Sequence, residues 1–145
     1  ETSIVHGDFR LDNMIFDPIT HEVKAILDWE LSTLGNPIAD FTYHMMSWRL
    51  PAGAKGLGMM GSDLKSLNIP SENEYAELYY KKTGREKIDN WDFYMAYNIF
   101  RLAGIAQGIV GRVRDGTASS SEAKNYEAFV PILGKLGWSI VEGIK

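Results

Sequence analysis

The chain has 145 residues, 45% of them hydrophobic and 23% charged, which is the size and composition of one folded globular domain. The formal net charge of −4 argues against non-specific binding to nucleic acid or to anionic membranes, so neither is expected as a partner. Cysteine is absent, which excludes disulfides, thiolate metal sites and cysteine nucleophiles. No apolar run reaches the about 18 residues of a membrane-spanning helix and no signal peptide opens the chain, so we expect a cytoplasmic protein.

Short strands joined by loops are predicted for the first third of the chain. Apolar runs at residues 3–5 and 14–16 predict two strands, and the alternation of polar and apolar residues over 22–27 predicts a third. Residues 19–21 are the expected hairpin connection between the second strand and the third. This region is therefore expected to form a small hairpin of short strands next to one further strand.

Helices are predicted for the rest of the chain. A proline suits the first turn of a helix over residues 37–48, and the glycine-rich and proline-containing segment 49–70 predicts a loop. The sequence Ser-Glu-Asn-Glu at 71–74 is a capping box that opens a second helix, and Gly84 stands where the C-terminal cap of that helix belongs. The long apolar pattern over about 90–114 predicts a third helix.

The third predicted helix is apolar on nearly every side, which is typical of a buried central helix. Its aromatic stripe, Phe93, Tyr97 and Phe100, is therefore predicted to lie in the core. A second capping box at residues 119–122 is expected to open a last helix.

One stretch of the sequence concentrates polar side chains that could carry chemistry. His-Gly-Asp-Phe-Arg-Leu-Asp-Asn at 6–13 lies between two predicted strands, and Asp28 stands at the end of the next one. A hairpin brings the end of its second strand back beside the start of its first, so we expect Asp28 to lie near Asn13. An amide oxygen and a carboxylate that close together suit Mg²⁺. Asp8 is then free to orient a hydroxyl group and take its proton.

The same residues resemble a known family. H-G-D-x-x-x-x-N at 6–13, I-L-D-W-E at 26–30 and G-N-P-I-A-D-F at 35–41 are similar to the catalytic core of the aminoglycoside phosphotransferase and choline kinase group. These proteins are small-molecule kinases with a protein-kinase-like fold. Asn36 replaces the Asp that is usual in the third motif. Together with A-G-I-A-Q-G at 103–108, the motifs look closest to the branch associated with acyl-CoA dehydrogenases, which implies a hydroxyacyl-type substrate.

The resemblance implies a role for the main polar residues of this core. Asp8 would be the catalytic base, as in the catalytic loop of protein kinases. Arg10 falls where Ser/Thr kinases have a lysine that faces the transferred phosphate. Asn13 and Asp28 would hold Mg²⁺, with ATP as the co-substrate. Asp40 matches an aspartate that anchors the backbone of the catalytic loop.

Three further residues lie within the motifs. His6 is expected to support the loop structurally, together with Asp40, because the histidine of the family packs and bonds to the backbone. Asp12, beside Asn13, is either a surface charge or a neighbour of the metal. Glu30 either helps to orient the metal-binding residues or is a plain loop charge. No residue is assigned to the acceptor molecule.

The resemblance also implies the fold and the division of the chain. We expect an α+β, mostly helical chain that forms the C-terminal lobe of a protein-kinase-like fold, with a small catalytic hairpin of short strands. Residues 1–35 would supply the catalytic and metal-binding loops, and residues 36–145 a helical substrate subdomain. No glycine-rich strand pair and no V-A-I-K-like lysine precede the catalytic loop, so the N-terminal nucleotide lobe is expected to be missing from this piece. A second chain is one way to supply it, and residues 1–145 alone are expected to be inactive.

Three functions are compatible with these residues. The leading one is an ATP-dependent phosphotransferase, a small-molecule kinase that moves the γ-phosphate to a hydroxyl group. A metal-dependent hydrolase built on His6 and Asp8 is disfavoured, because the other histidines, at 21 and 44, lack the paired spacing of a two-metal site. A catalytically silent kinase-like binding module is the third possibility. The intact motif argues against it for the whole protein, but it stays open for residues 1–145 alone.

Charge on the predicted helices and loop bears on the acceptor. Aminoglycosides are polycations that need a pocket lined by carboxylates. The third predicted helix instead carries Arg101, Arg112 and Arg114, and the loop after the first helix carries Arg49 and Lys55. We therefore expect aminoglycosides to be poor substrates.

Overall fold

A computed structural model describes residues 1–53 and 58–144. The chain divides into two compact units, Glu1–Met45 and Met46–Lys145. This division lies later than the predicted one at residues 35/36, because the first helix packs against the first strand. The expected α+β, mostly helical architecture is confirmed. Within the described ranges, no helix is both long enough and apolar enough to cross a bilayer.

The strands of the first unit are short and form two antiparallel pairs. They are β1 (Ser3–Val5), β2 (Met14–Phe16), β3 (Val23–Ile26) and β4 (Thr33–Gly35). β2 and β3 form the predicted hairpin, whose turn is closed by Asp17: its Oδ1 accepts from the N–H groups of Ile19 and Thr20, both at 2.9 Å. β4 is absent from the sequence prediction, because Thr-Leu-Gly contains a single apolar side chain and no apolar run, and its pairing with β1 defines it.

One helix, α1 (Pro37–Met45), completes the first unit, and the chain continues as a 3-10 turn at Met46–Trp48, where the helix was predicted to end. Asn36 caps α1, since its Oδ1 accepts from the N–H of Ile38 at 2.9 Å. An amide oxygen therefore satisfies a free N–H of the first turn, as the aspartate usual in the family would. Ile38 and Phe41 bury the inner face of the helix.

The described part of the second unit is built on helices. They are α2 (Glu72–Thr83), α3 (Trp91–Arg114) and α4 (Tyr126–Gly143). The predicted capping box of α2 is confirmed: Ser71 Oγ accepts from the N–H of Glu74 at 3.3 Å, and Glu74 Oε2 accepts from the N–H of Ser71 at 2.8 Å. Gly84, with φ +68°, ends α2 as predicted. α4 begins only after a 3-10 turn at Ser121–Asn125, and the Glu122 side chain of the second predicted capping box lies outside the described residues.

The aromatic stripe of α3 is not in the core, contrary to the prediction. Phe93, Tyr97 and Phe100 are 58%, 49% and 76% exposed, whereas Met95 and Ile99 are fully buried. The stripe and apolar residues of α4 line an open groove with a volume of about 700 Å³. An apolar pattern around a helix indicates which residues can be buried, but the packing of α4 against one side of α3 decides which of them are.

Arg49 is held inside the second unit by two carboxylates. It donates Nε and Nη2 to Glu72 at 2.9 and 2.6 Å and Nη1 to Asp92 at 2.5 Å, while Trp91 Nε1 donates to Glu72 at 2.7 Å. Burial alone would lower the pKa of Arg49, but its hydrogen bonds and the charges of the two carboxylates raise it. Arg49 is therefore already neutralised within the protein, and Lys55, the other basic residue predicted for this loop, lies outside the described residues.

Candidate active site

The loop of residues 6–13 connects β1 to β2 and is held by a carboxylate of α1. Asp40 Oδ2 accepts a hydrogen bond from the N–H of His6, and Oδ1 accepts one from the N–H of Gly7, both at 2.8 Å. Bonds from amides to a carboxylate are stronger than bonds between neutral groups. This contact supports the anchoring role expected for Asp40.

His6 is buried, with one ring nitrogen bonded within the loop and the other bonded to the residue that follows β3. The N–H of Asp8 donates to Nδ1 at 3.2 Å, so Nδ1 carries no proton, and Nε2 donates to the carbonyl of Leu27 at 2.8 Å. The ring packs against Trp29, with 4.6 Å between the ring centroids. Because both nitrogens are occupied, the geometry supports a structural role for His6.

Asp8 and Asn13 face each other across the loop. Nδ2 of Asn13 donates to the backbone carbonyl of Asp8 at 2.9 Å and to its carboxylate Oδ2 at 3.1 Å. The amide group of Asn13 thus turns its NH₂ toward Asp8, which leaves its Oδ1 as the atom that can bind a cation. The Asp8 side chain is 20% exposed, so its carboxylate is held in place and still open to solvent.

The β2–β3 hairpin places Asp28 one residue beyond Leu27, which bonds to the backbone of Asn13. Met14 lies opposite Ile26, and the N–H of Leu27 donates to the carbonyl of Asn13 at 2.8 Å. Asp28 follows directly, is exposed, and has a left-handed backbone with φ 65° and ψ 52°. Its carboxylate makes no hydrogen bond or ion pair within residues 1–53 and 58–144. Such a backbone is uncommon outside glycine and is concentrated at functional sites.

The oxygen donors of Asn13 and Asp28 fit a hard cation. Mg²⁺ is usually bound by one or two carboxylates together with waters and substrate phosphates, so one amide oxygen and one carboxylate are a suitable protein share. In the described part of the chain, no group of three or more His, Cys, Asp or Glu side chains is arranged to hold a metal ion.

Arg10 lies between two carboxylates. Its Nη2 donates to Asp12 Oδ2 at 2.7 Å, and its Nε lies 3.5 Å from Asp8 Oδ1. Glu30 is exposed, and it makes no polar contact with the part of the chain that the structure describes. The structure therefore brings most of the predicted site residues into one network of hydrogen bonds and ion pairs. Asp28 adjoins this network through its neighbour Leu27, whose backbone bonds to Asn13 and His6, and Glu30 lies outside it.

Aromatic packing around the loop is absent from the sequence prediction. Phe9 contacts His6 and His44 edge-on, with 6.0 and 5.6 Å between ring centroids. Trp29 Nε1 donates to the carbonyl of Ile26 at 2.8 Å, which fixes the ring that covers His6. Phe9 could have indicated this packing from the sequence, because a large apolar residue inside a polar loop motif is expected to pack against other side chains.

We expect Gly7→Ala to destabilise the first unit by about 1–3 kcal/mol. Gly7 has φ +85°, and a Cβ at this position would lie 2.6 Å from the backbone oxygen of Leu31. Gly84→Ala is the matched control, because Gly84 also has a positive φ but has open space where the Cβ would stand. Urea unfolding of the three proteins checks this, and an equal loss of stability at both positions would contradict the role of the close approach.

The stability of the protein is expected to depend on pH through His44. Burial lowers the pKa of His44 below its ordinary value of 6.5, because the charged ring is poorly solvated there. At a pH between the lowered pKa of His44 in the folded chain and its ordinary pKa in the unfolded chain, the unfolded chain binds a proton that the folded chain does not. The free energy of unfolding should therefore be at its full value above pH 6.5 and fall as the pH drops below it, by at most about 1.4 kcal/mol per pH unit.

Urea unfolding over the range from about pH 5 to pH 8 measures this dependence. His44→Phe should flatten the curve in that range, because phenylalanine keeps the contact with Phe9 and does not titrate. His21→Asn, which removes an exposed histidine, is the control and should leave the curve unchanged. Parallel curves for the wild-type and His44→Phe proteins would exclude His44 as the source.

Comparisons with known proteins agree with this geometry. The family model APH, the phosphotransferase enzyme family, matches residues 1–78. Acyl-CoA dehydrogenase family member 10 of Mus musculus is 46% identical over 138 residues, and acyl-CoA dehydrogenase family member 11 of Homo sapiens is 37% identical over 138 residues. Each match covers 94% of this chain, but only 13% and 18% of the two relatives.

A solved structure is also similar. The crystal structure of a Ralstonia eutropha JMP134 protein, assigned to the aminoglycoside phosphotransferases, is 48% identical to this chain with a TM-score of 0.91. The match covers 98% of this chain and 43% of that one, so the chain spans less than half the length of this relative. The resemblance read from the motifs, including the branch, is thereby confirmed. The chain belongs to the phosphotransferase enzyme family and has the fold of the C-terminal lobe of a protein-kinase-like protein.

Proposed function

We propose that this chain is the catalytic lobe of an ATP-dependent kinase that transfers the γ-phosphate of ATP to a hydroxyl group of a small molecule. One observation carries the proposal: Asp40 anchors the two amides that precede Asp8, and Asn13 binds the Asp8 carboxylate. Asp8 is thus a fixed carboxylate that is open to solvent, as a group that orients an acceptor hydroxyl must be. Membership of a phosphotransferase family supports this reading.

In the proposed reaction, the acceptor hydroxyl donates a hydrogen bond to Asp8. Oδ2 of Asp8 already accepts from Asn13, so we assign the hydroxyl to Oδ1, which accepts no hydrogen bond within the described chain. The hydroxyl oxygen attacks the γ-phosphorus, the bond from that phosphorus to the bridging oxygen of ADP breaks, and the hydroxyl proton passes to Asp8.

Asn13 Oδ1 and the carboxylate of Asp28 would hold Mg²⁺. A bound Mg²⁺ would supply positive charge that neutralises the phosphates of the nucleotide. The contribution of the chain is the hairpin register, which keeps the two donors at adjacent strand ends, and the bond from Asn13 Nδ2 to Asp8, which fixes the amide.

Asp28→Ala in the full-length protein is expected to raise the Mg²⁺ concentration for half-maximal activity by at least about tenfold. Asn13→Ala should have a smaller effect, because an amide oxygen lacks the full charge of a carboxylate. Glu30→Gln is the control, since Glu30 is an exposed carboxylate near Asp28 in the chain and makes no polar contact within the described residues. An unchanged Mg²⁺ titration for Asp28→Ala would refute the metal role.

The nucleotide-binding half of the site is proposed to lie outside residues 1–145. The solved relative is more than twice as long as the part that this chain matches. The family resemblance implies a strand-rich lobe that holds the adenine and covers the phosphates, supplied by a longer chain or by a second one. Without that lobe the phosphates would lack most of their positioning, so residues 1–145 alone should not turn over ATP.

For the acceptor we propose a hydroxyacyl compound such as a hydroxyacyl-CoA. Support comes from the names of two relatives, acyl-CoA dehydrogenase family members 10 and 11, of which this chain matches 13% and 18%. Fewer positive charges are available to repel aminoglycosides than the sequence indicates, because Arg49 is neutralised by Glu72 and Arg114 pairs with Glu127 at 3.1 Å. The acceptor class therefore has to be measured directly.

The test is an assay of the full-length protein with ATP and Mg²⁺ against three acceptor classes: hydroxyacyl-CoAs, choline-like alcohols and kanamycin. We expect acceptor-dependent ADP formation with hydroxyacyl-CoAs. Phosphoester cleavage without a nucleotide would favour a metal-dependent hydrolase. Metal-dependent ATP binding without any turnover would favour a catalytically silent binding module, and efficient phosphorylation of kanamycin would overturn the acceptor proposal.

A further inference from the structure

The guanidinium of Arg10 is shared unequally between two carboxylates. Nη2 donates to Asp12 at 2.7 Å, whereas Nε lies 3.5 Å from Asp8 Oδ1 and is buried without a hydrogen-bond partner among the described residues. A buried N–H group without a partner is costly, and it is expected to persist where a ligand completes it. The side chain of Arg10 thus has unused donors beside Asp8.

Asp12 is tied to the same short turn as the other residues of the network. It lies in the 3-10 turn Leu11–Asn13, in which the N–H of Asn13 donates to the carbonyl of Arg10 at 3.1 Å. Asn13 in turn binds Asp8 through Nδ2. The backbone of the turn therefore keeps Asp12 and Asp8 on either side of one guanidinium.

The pair with Asp12 is the shorter of the two contacts between the Arg10 guanidinium and a carboxylate. Asp12 is 61% exposed, so by itself this ion pair should contribute little to stability. We expect it to matter for Asp8 in another way: without Asp12, the guanidinium would be free to move onto the Asp8 carboxylate and form the two-pronged pair that arginine favours. Such a pair would occupy the oxygen that the acceptor hydroxyl needs.

We propose that Asp12 is a positioning residue: it holds Arg10 off the Asp8 carboxylate so that the free N–H groups of Arg10 meet the phosphoryl group in transfer. This inference rests on the proposed function. Charge on the transferred phosphoryl group is spread over its three equatorial oxygens, and a fixed guanidinium is suited to bind them. Asp12 is thereby assigned to Arg10, and not to the metal.

The test uses the full-length protein and two probes, Mg·ADP alone and Mg·ADP with aluminium fluoride, which mimics the transferred phosphoryl group. Asp12→Asn should leave the affinity for Mg·ADP unchanged and reduce the tightening produced by aluminium fluoride by about tenfold, the scale of one charge-assisted hydrogen bond. Asp12→Glu, which keeps the carboxylate, should restore most of it. Glu22→Gln is the matched control, because Glu22 is exposed and pairs only with hairpin residues.

A double variant shows whether Asp12 acts through Arg10. In an Arg10→Ala background, Asp12→Asn should cause no further loss, whereas two independent effects would add. Additive losses, or full tightening by aluminium fluoride in Asp12→Asn, would overturn the inference and leave the proposed function standing. A wild-type protein that does not bind Mg·ADP would overturn the proposed function, and the inference with it.

Discussion

Replacing Asp8 by Asn in the full-length protein is expected to slow phosphoryl transfer by about 10² to 10⁴, the typical contribution of a general base. The amide cannot accept the proton of the acceptor hydroxyl, but its oxygen can still accept the hydrogen bond from Asn13 Nδ2 that exists in the wild-type protein at 3.1 Å. The loop geometry should therefore survive the substitution. Steady-state turnover with a saturating acceptor measures the effect.

The affinity for ATP separates the role of Asp8 from that of the metal site. Asp8 is proposed to meet the acceptor and not the nucleotide, so Asp8→Asn should bind Mg·ATP within about threefold of wild type. Asp28→Ala, in contrast, should lose nucleotide affinity at low Mg²⁺. Turnover of Asp8→Asn within about threefold of wild type would refute the assignment of Asp8 as the base.

Asp40→Asn is expected to lower both stability and activity. The carboxylate of Asp40 accepts from the N–H groups of His6 and Gly7, each at 2.8 Å, and an amide would turn one NH₂ donor toward one of these N–H donors. Losing one bond to a charged group and leaving one amide without an acceptor should cost about 2–3 kcal/mol. A shift of about 1 Å in the loop that carries Asp8 should reduce turnover by about 10².

Urea unfolding and turnover of the same preparations check this prediction. Asp89→Asn is the matched control, because it makes the same chemical change at an exposed position of the second unit with no hydrogen bond or ion pair within the described residues. Asp40→Asn with wild-type stability and wild-type turnover would show that the two amide contacts do not hold the loop.

Local patterns in the sequence were sufficient to predict most of the elements. Elements that depend only on residues near in the chain could be predicted almost completely from the sequence. They are the β2–β3 hairpin, the capping box at Ser71 and Glu74 and the glycine cap at Gly84. The catalytic motif is equally local, since a short loop between two strands brings Asp8 and Asn13 together. The chemical roles of these residues stay predictions until the variants are measured.

Contacts between residues far apart in the chain could not be predicted from such local patterns. β4 exists because it pairs with β1, and Arg49 is neutralised because α2 and α3 each bring a carboxylate to it. The sequence treats Arg49 as an available positive charge, whereas the folded chain uses it internally. The same limit explains the exposed aromatic stripe of α3, because one packed neighbour, α4, decides which side of an apolar helix is covered.

By itself, the sequence determined the family and the order of the helices and most of the strands, and it predicted the set of residues that can carry the chemistry. The family resemblance predicted that Asp40 anchors the loop, but only the tertiary structure decided which two amides donate to its carboxylate. It also decided that both nitrogens of His6 are occupied and that Arg10 donates to Asp12. The physical reason is that hydrogen bonds act over about 3 Å, whereas a sequence records only which residues are near in the chain. Asp40 follows His6 by 34 residues, and no pattern of side chains over that length states which amides its carboxylate will accept.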